Sequence, residues 1–294
     1  MPELPEVETV RRGLEPVLSG RRIVRLEARR PDLRFPFPDR FAGRLEGRRV
    51  TELTRRAKYL LAAIEGGETL IMHLGMTGRF TIEEDETAPA ALGQYVYGTG
   101  SDPRHDHVVL HLSGGARITY NDARRFGFMV LVPAGELDVH PLMKGLGPEP
   151  LSDAFTADVL AQRARGKKVN LKALLMDQRV VAGLGNIYVC EALYRAGLSP
   201  ERAASTLATK TGAPLARTHA LVGAIKAVLE DAIRAGGSTL RDYRRADGSS
   251  GAFQESFAAY DREDEPCNRP GCTGTVRRAI HANRSTFHCP KCQR

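Results

Sequence analysis

Apolar residues near the N terminus recur at the spacing of an α-helix. The stripe consists of Val7, Val10, Leu14, Val17 and Leu18. Positions three or four residues apart share one face of a helix, so this stripe predicts an amphipathic helix. Pro5 suits a first turn and Gly20 is placed as a stop. Pro16 lacks the N–H that a helix interior uses, so it should kink or end the last turn.

From about residue 21 to residue 132 the pattern becomes that of β-strands. The runs RRIVRLEARR, RRVTELTRRAKYLLAAI, ETLIMHLGMTGRF and HDHVVLHLSGGARITYND are rich in strand-forming residues. Turns containing glycine separate these runs. Several antiparallel strands of this kind predict a sandwich or a barrel. Residues 83–104 are acidic at first and then rich in glycine and proline, which predicts a mobile loop.

A helical pattern follows a linker. The stretch PAGELDVHPLMKGLGPEPLS contains the prolines and glycines typical of a connecting segment. Ser152 is placed to cap a helix that contains Phe155, Val159 and Leu160. A second apolar stripe ends at Gly236-Gly237 and is formed by Val222, Ile225, Leu229 and Ile233.

These patterns predict an α+β, multidomain chain of 294 residues, and its length alone suggests two domains. We expect an N-terminal antiparallel β domain with an N-terminal helix at residues 1–133 and a linker at 134–152. A helical domain should cover residues 153–264, and a short tail bearing four cysteines should cover 265–294. No internal repeat is evident.

Charge adds a first indication of the partner. The net charge is +8, with 43 Lys and Arg against 35 Asp and Glu. Such an excess favours a polyanion, nucleic acid before an acidic membrane surface, although a merely basic soluble protein is an equal alternative on charge alone. No run of about 18 apolar residues predicts a transmembrane helix. The acidic, proline-containing start does not resemble a signal peptide. Cysteines that look like a metal site rather than a disulfide framework fit a reducing cytoplasm, so a cytoplasmic protein is expected.

The four tail cysteines have the spacing of a metal site. Two close pairs, CNRPGC and CPKC, are separated by sixteen residues, and each pair fits a tight turn. Cys267, Cys272, Cys289 and Cys292 are therefore predicted to bind one structural zinc ion tetrahedrally. So short a segment has little apolar area, so the metal would provide much of its stability. Unliganded cysteines are the alternative, and the isolated Cys190 is interpreted as a buried structural thiol.

A glycine-rich turn precedes a second predicted helix in QRVVAGLGNIYVCEALYRAGLSP. Gly183 and Gly185 form the turn, and Asn186 begins the helix. The exposed N–H groups of a helix N terminus are suited to phosphate, and Lys167 and Lys172 precede this one. A turn of this type is more often a simple connection between helices, so the prediction of backbone contacts to DNA depends on the zinc tail and the charge.

The segment NDARRFGFM, with HLGMTGRF upstream, predicts a different kind of contact. Phe126 beside two arginines is suited to be a wedge that enters an opened base step, while an arginine satisfies the abandoned base. The alternative is that Phe126 and Met76 are core residues flanked by solvated charge, and without other context this alternative is favoured.

The opening MPELPEVETV suggests a nucleophile. Removal of Met1 would leave Pro2 with a free secondary amine, which attacks aldehyde-like carbons and gives an iminium ion. An α-amino group has a pKa of about 7.7–8.0, so part of it is uncharged at neutral pH. Glu3 beside the amine is suited to be a general acid. The alternative is that Pro2 only rigidifies the helix start.

Together these segments resemble the bacterial formamidopyrimidine-DNA glycosylase family. The resemblance covers nearly the whole chain through PELPEVET, RRAKYL, HLGMTGRF, NDARRFG, LGPEPL, LMDQRVVAGLGNIY, GGSTLRDY, DGSSGAF and the cysteine tail. It implies a β-sandwich domain, a helix–two-turn–helix domain and a β-hairpin zinc finger. It also implies a bifunctional enzyme that excises oxidised purines (8-oxoguanine, formamidopyrimidines) from double-stranded DNA and cleaves the strand by β,δ-elimination. The same chemistry on oxidised pyrimidines and a non-catalytic DNA-binding module are the alternatives.

The resemblance also implies roles for individual residues. Pro2 is the expected nucleophile at the sugar C1′, with Glu3 as its acid partner. Lys58 is implicated in β-elimination and Arg284 in δ-elimination. The expected DNA contacts are His105, Lys167, Asn186 and, on the motifs above, Met76, Arg124, Phe126, Lys172 and Arg241. DGSSGAF resembles the loop that folds over a flipped base. The protein is expected to be a monomer that needs no redox cofactor.

Four features depart from the family pattern. Ala123 stands where proline often precedes the two arginines, and Arg241 stands where many members have lysine. Four residues rather than two separate Cys267 from Cys272, which predicts a longer zinc turn. The segment 83–104 is longer than usual and has no role that we can infer from its residues.

Overall fold

The computed structural model describes residues 1–83, 102–133, 135–238, 252–281 and 283–294. The chain divides into two compact units. The first consists of Met1–Lys144 with Ala235–Ala252, and the second of Gly145–Arg234 with Phe253–Arg294. Arg241, most of the DGSSGAF loop and most of the predicted 83–104 loop lie outside the described residues. Among the described residues no helix is long and apolar enough to cross a membrane.

The N-terminal helix α1 spans Leu4–Leu18 and buries the predicted apolar stripe. Its N-cap is Glu3, and the Glu6 carboxylate accepts the backbone N–H of Glu3 at 2.8 Å, one half of a capping box. Pro5 lies in the first turn, as predicted. Pro16 lies inside the helix, which ends two residues later. The helix therefore ends in the turn that contains the proline, which is one of the two predicted outcomes.

Two four-stranded antiparallel sheets form the rest of the first unit. One has the order β1-β6-β7-β5 and the other the order β2-β3-β4-β8. The strands of the first sheet are β1 (Ile23–Ala28), β5 (Arg79–Glu83), β6 (Asp106–Leu112) and β7 (Arg117–Asn121). Those of the second are β2 (Val50–Arg56), β3 (Tyr59–Ile64), β4 (Glu68–His73) and β8 (Phe128–Pro133), and a short helix α2 (Phe41–Leu45) precedes β2.

Both sheets contribute to a single hydrophobic core. Leu110 and Phe80 of the first sheet belong to the same buried cluster as Leu60 and Met72 of the second, and Leu14 of α1 joins them. A core shared by two antiparallel sheets is a β-sandwich, one of the two architectures that the strand pattern allowed. The barrel alternative was wrong.

The second unit is helical and ends in a β-hairpin. Its elements are α3 (Ala157–Ala164), α4 (Leu171–Met176), α5 (Asn186–Ala196), α6 (Ala216–Arg234), β9 (Arg277–His281) and β10 (Arg284–His288). The stripe that includes Ile225 and Leu229 is buried in α6, as predicted. The prediction that Ser152 caps the first of these helices was wrong. Thr156 caps α3 by accepting the Val159 N–H, whereas the Ser152 hydroxyl bonds the carbonyl of Glu149.

Candidate active site and nucleic-acid interface

The N-terminal turn places Pro2 and Glu3 together ahead of α1, and both side chains are buried. Glu6 holds this turn with both carboxylate oxygens. Its Oε2 accepts the Glu3 N–H, and its Oε1 accepts the backbone N–H of Ser238 at 2.8 Å and the Ser238 hydroxyl at 3.1 Å. Gly237 fits against this carboxylate, since a Cβ there would lie 3.0 Å from Glu6 Oε1. The nucleophile predicted from the sequence therefore lies on a turn with a fixed backbone.

Lys58 lies on the two-residue turn that joins β2 to β3. Arg56 pairs with Tyr59 across the hairpin, so only Ala57 and Lys58 form the turn. The guanidinium of Arg55 donates to the Ala57 carbonyl at 2.9 Å. Although it is a lysine, Lys58 is 8% exposed. A buried ammonium on a constrained turn has few positions available to it, which is suited to a catalytic cation.

Three turns that carry predicted functional residues share an unusual backbone conformation. Non-glycine residues adopt the left-handed region at Ala57 (φ +53°), Arg125 (φ +55°) and Asn283 (φ +59°). The first directly precedes Lys58, the second precedes Phe126 and the third precedes Arg284. Such conformations cost on the order of 1–3 kcal/mol each and concentrate at functional sites. The surrounding structure therefore holds these three turns in place.

His73 at the end of β4 was not singled out from the sequence. Burial, and then the charges of Lys58 and Arg34, lower the pKa of His73 from 6.5 to about 4. Its Nδ1 accepts the Gly75 N–H at 3.0 Å, and its ring stacks on Phe128 with centroids 5.1 Å apart. A neutral imidazole thus accompanies Lys58. Its position directly before the LGMTG motif was the only available signal, and a lone histidine is too common for that signal to be specific.

A buried carboxylate joins the two loops that carry the predicted wedge. Asp122, which is 0% exposed, accepts the Thr77 hydroxyl at 2.5 Å through Oδ1 and the Gly127 N–H at 2.8 Å through Oδ2. The Tyr120 hydroxyl donates to Oδ2 at 3.3 Å. Thr77 in turn accepts the backbone N–H of Arg124 at 3.1 Å. One carboxylate therefore fixes the HLGMTG loop and the DARRFG loop to each other.

The same two loops approach so closely that glycine is required. A Cβ at Gly75, which has a φ of +63°, would lie 2.3 Å from the backbone nitrogen of Gly127. A Cβ at Gly127 would lie 1.8 Å from the buried Tyr120 hydroxyl and 2.7 Å from the backbone carbonyl oxygen of His73. Backbone atoms cannot yield to such contacts, so both glycines are needed for the loops to interlock.

Phe126 projects from this interlocked base and is 45% exposed. The Arg124 guanidinium lies over its ring, 4.7 Å from the centroid. The alternative that Phe126 is a core residue was therefore wrong, while Met76 is half-buried. His105 is also half-buried, and its carbonyl accepts the Asp122 N–H at 3.0 Å, which connects it to the same loops. An exposed aromatic ring with a cation on its face has the chemistry of a wedge.

In the second unit, Asn186 begins α5 after Gly185, as predicted from the glycine turn. The Asn186 Nδ2 donates to the carbonyl of Ser285 in the hairpin at 2.9 Å. Lys167 is exposed, and so it can reach a phosphate. Lys172, in contrast, is buried and donates to the hairpin. Cys190 is buried, as interpreted.

The four tail cysteines form a cluster of the size that a metal ion requires. Their sulfur atoms lie within 4.8 Å of one another, with Cys267–Cys292 at 3.7 Å and Cys272–Cys289 at 3.8 Å. A tetrahedral metal with bonds of about 2.3 Å to sulfur has sulfur–sulfur edges of about 3.8 Å. A Cβ at Gly274 would lie 2.6 Å from Cys289 Sγ, so the space beside the thiols is kept open by a glycine. The longer first turn still fits this geometry.

Helix α5 contacts both the cysteine cluster and the segment that precedes it in the chain. The buried Glu191 carboxylate accepts the backbone N–H groups of Ala258, Ala259 and Tyr260 at 2.7–2.9 Å. Burial nevertheless raises the pKa of Glu191, because those three bonds only partly offset the loss of hydration. One turn further along, the Tyr194 hydroxyl lies 3.2 Å from Cys267 Sγ.

Comparison with known proteins gives a consistent result over both units. The family model for the formamidopyrimidine-DNA glycosylase N-terminal domain matches residues 1–129. The family model for the formamidopyrimidine-DNA glycosylase H2TH domain matches residues 146–244. A formamidopyrimidine-DNA glycosylase from Azorhizobium caulinodans is 60% identical over 294 residues, covering 100% of both chains.

Solved structures agree with this result. The MutM (Fpg) protein from Thermus thermophilus is 41% identical, with a TM-score of 0.80 and 99% and 98% of the two chains covered. A Lactococcus lactis Fpg mutant in complex with a Fapy-dG containing DNA is 33% identical, with a TM-score of 0.82 and 100% of both chains covered.

Proposed function

Because the chain belongs to the formamidopyrimidine-DNA glycosylase family, we propose that it excises oxidised purines from duplex DNA and then cleaves the strand at the abasic site. This is base-excision repair by a combined glycosylase and lyase. The observation that carries the proposal is the buried N-terminal turn, where Pro2 precedes Glu3 at the N-cap of α1.

The first step forms a covalent enzyme–sugar bond. Once Met1 is removed, the uncharged secondary amine of Pro2 attacks C1′ of the damaged nucleotide, and the bond from C1′ to the base breaks. The oxidised purine leaves with the electron pair of that bond. Glu3 acts as the acid that protonates the ring oxygen as the sugar opens, and the amine nitrogen loses its proton to give an iminium ion. Glu6 accepts the Glu3 N–H and so fixes the position of the acid next to the amine.

The iminium ion then drives strand cleavage. It acidifies the C2′ hydrogen, and loss of that proton expels the 3′ phosphate by β-elimination. A second elimination expels the 5′ phosphate, and water releases the sugar fragment from Pro2. Lys58 is the cation for the first elimination and Arg284 for the second. Neither elimination changes an oxidation state, so the sequence of steps balances without an external oxidant or reductant.

Base extrusion is assigned to the interlocked loops of the first unit. Extruding a base costs a few kcal/mol, which contacts to the vacated stack and to the phosphates can offset. Phe126 and Met76 fill the vacated space, and Arg124 faces the opposite cytosine. The exposure of Phe126 supports this assignment. Phosphate contacts are assigned to His105, Lys167, Asn186 and Arg241.

The cysteine cluster is assigned to one zinc ion, held by Cys267, Cys272, Cys289 and Cys292. Four thiolates at tetrahedral spacing form a closed site of the structural type, with no open coordination position for chemistry. When bound, zinc supplies stability to the finger and takes no part in catalysis. The protein is proposed to act as a monomer in the cytoplasm, where it would associate with the nucleoid through DNA.

The substrate class is tested by strand cleavage on a panel of duplexes. The panel carries 8-oxoguanine, a formamidopyrimidine or an oxidised pyrimidine, each opposite cytosine or its normal partner. We expect cleavage to be fastest at the oxidised purines, and Glu3→Gln to lose at least 100-fold. The exposed Glu15 of the same helix provides the control, since Glu15→Gln should retain activity. Preference for the oxidised pyrimidine would refute the assigned substrate class.

A further inference from the structure

A buried lysine of the helical unit is bonded to the backbone of the hairpin directly after Arg284. Lys172 of α4 is 1% exposed. Its ammonium donates to the carbonyl of Ser285 at 2.8 Å and to the Thr286 hydroxyl at 2.6 Å. A buried ammonium is costly unless it is hydrogen-bonded, so these bonds define where the start of β10 must lie relative to α4.

A second helix reinforces the same point. Asn186 of α5 donates to the same Ser285 carbonyl at 2.9 Å, so that carbonyl accepts one bond from each of two helices. The Thr286 hydroxyl accepts from Lys172 and is 2.8 Å from His281 Nδ1 on the paired strand. The hydrogen bonds that begin at Lys172 therefore reach both β9 and β10.

Arg284 lies at this end of the hairpin and is exposed. It pairs with His281 across the hairpin and lines an open cavity of about 560 Å³ between α4 and the finger. Asn283 just before it is in the left-handed conformation, with a φ of +59°. The guanidinium can thus reach solvent, while Lys172 and Asn186 hold the backbone next to it through the Ser285 carbonyl.

We propose that Lys172 is the positioning residue for Arg284, and that it controls the second elimination without contacting DNA. This inference rests on the role proposed above for Arg284. It replaces the sequence-based expectation of a direct contact between Lys172 and phosphate, because the bonds of its ammonium lead to the hairpin. Lengthening, shortening or neutralising this side chain would displace the backbone at Ser285 and with it the guanidinium.

The test measures the two elimination products separately. Under single-turnover conditions, an 8-oxoguanine duplex labelled at the 5′ end reports base excision and the ratio of β to β,δ products. We expect Lys172→Met to keep base excision within about threefold and to reduce the δ product at least tenfold, as Arg284→Ala should. Lys210→Met, at an exposed lysine of the same unit, is the matched control and should leave both quantities unchanged.

Two further measurements separate positioning from other roles. Neutralising a lysine that contacts one phosphate reduces the slope of log K against log salt by about 0.9. We expect this slope to be unchanged in Lys172→Met, and a decrease of that size would overturn the proposal in favour of a direct contact. Zinc content should also stay at one per chain. An equal loss of excision and δ product together with zinc would show a purely structural role and would likewise overturn it.

A milder pair of variants covers the case in which Lys172→Met does not fold. Thr286→Val removes one acceptor of the ammonium, whereas Thr286→Ser keeps the hydroxyl. We expect only the valine variant to raise the β to β,δ ratio, and equal ratios would refute the proposal. If Arg284→Ala leaves the ratio unchanged, the assigned role of Arg284 fails. If Arg284→Ala raises the ratio but neither the methionine nor the valine variant does, only the positioning role fails.

Discussion

The carboxylate of Asp122 offers a measurable test of how the wedge is held. Substitution by asparagine keeps the size of the side chain but exchanges one accepting oxygen for an NH₂ group. In the native protein both oxygens accept hydrogen bonds, from the Thr77 hydroxyl at 2.5 Å and the Gly127 N–H at 2.8 Å. The new NH₂ must face one of these donors. Toward Gly127 the bond to the backbone N–H is lost, and toward Thr77 the hydroxyl must turn to accept a bond instead of donating one.

The size of the effect follows from these contacts. A hydrogen bond to a charged group contributes about 1.5–3 kcal/mol, and a buried donor left without a partner costs about 1–3 kcal/mol. Partial relaxation of Thr77, whose hydroxyl can also accept, reduces the sum. We therefore expect Asp122→Asn to lower the free energy of unfolding by about 3 kcal/mol. Asp39→Asn, at an exposed position of the same unit, should change it by less than about 0.5 kcal/mol.

Urea denaturation measures the change in the free energy of unfolding. A fluorescent base analogue opposite the wedge measures the rate of base extrusion. Loosening the two loops should slow base extrusion and weaken the preference for cytosine opposite the lesion, because Arg124 is bonded through Thr77 to Asp122. Cleavage of a preformed abasic site, which needs less extrusion, should be affected less. Stability within about 0.5 kcal/mol of wild type together with unaltered extrusion would show that Asp122 does not hold the wedge loops.

Three other changes have defined outcomes. Cys289→Ser should lose zinc and DNA binding by metal analysis and titration, whereas Cys190→Ser should keep both; unaltered binding would make the finger dispensable. Lowering the pH from about 6.5 to about 4 should destabilise the protein, because the pKa of His73 is about 4 when folded and 6.5 when unfolded, and the unfolded chain takes up the proton first. His73→Gln should make the unfolding free energy less dependent on pH in that window, and an unchanged dependence would contradict this. Lys167→Ala should reduce the salt slope of binding by about 0.9, and an unchanged slope would exclude its phosphate contact.

Local patterns were sufficient to predict several elements of the fold. The apolar stripe of α1, the glycine turn before Asn186 and the two cysteine pairs all depend on neighbours within a few residues. The structure has each of them where expected. The cap at Ser152 was wrong because Thr156 lies four residues later and satisfies the same donor requirement. Two capping residues so close together cannot be ranked without the packing of the helix.

The tertiary contacts of the site could not be predicted in this way. Asp122 meets Thr77 across 45 positions of chain, and Lys172 meets Thr286 across 114. No periodicity encodes such pairings, so Lys172 was expected to contact DNA and Asp122 was not singled out. Phe126 shows the opposite case, since composition favoured a core position and only the loop geometry exposes it.

The proposed mechanism requires that the secondary amine of Pro2 bond to C1′ of the damaged nucleotide. Its most direct test is borohydride reduction during turnover of an 8-oxoguanine duplex, followed by mass spectrometry of the cross-linked peptide. We expect a stable adduct whose peptide begins at Pro2 and carries the sugar on its first nitrogen. A matched chain that keeps an uncleavable residue ahead of Pro2 should give no adduct. Attachment at Lys58, or equal trapping by the extended chain, would contradict this mechanism.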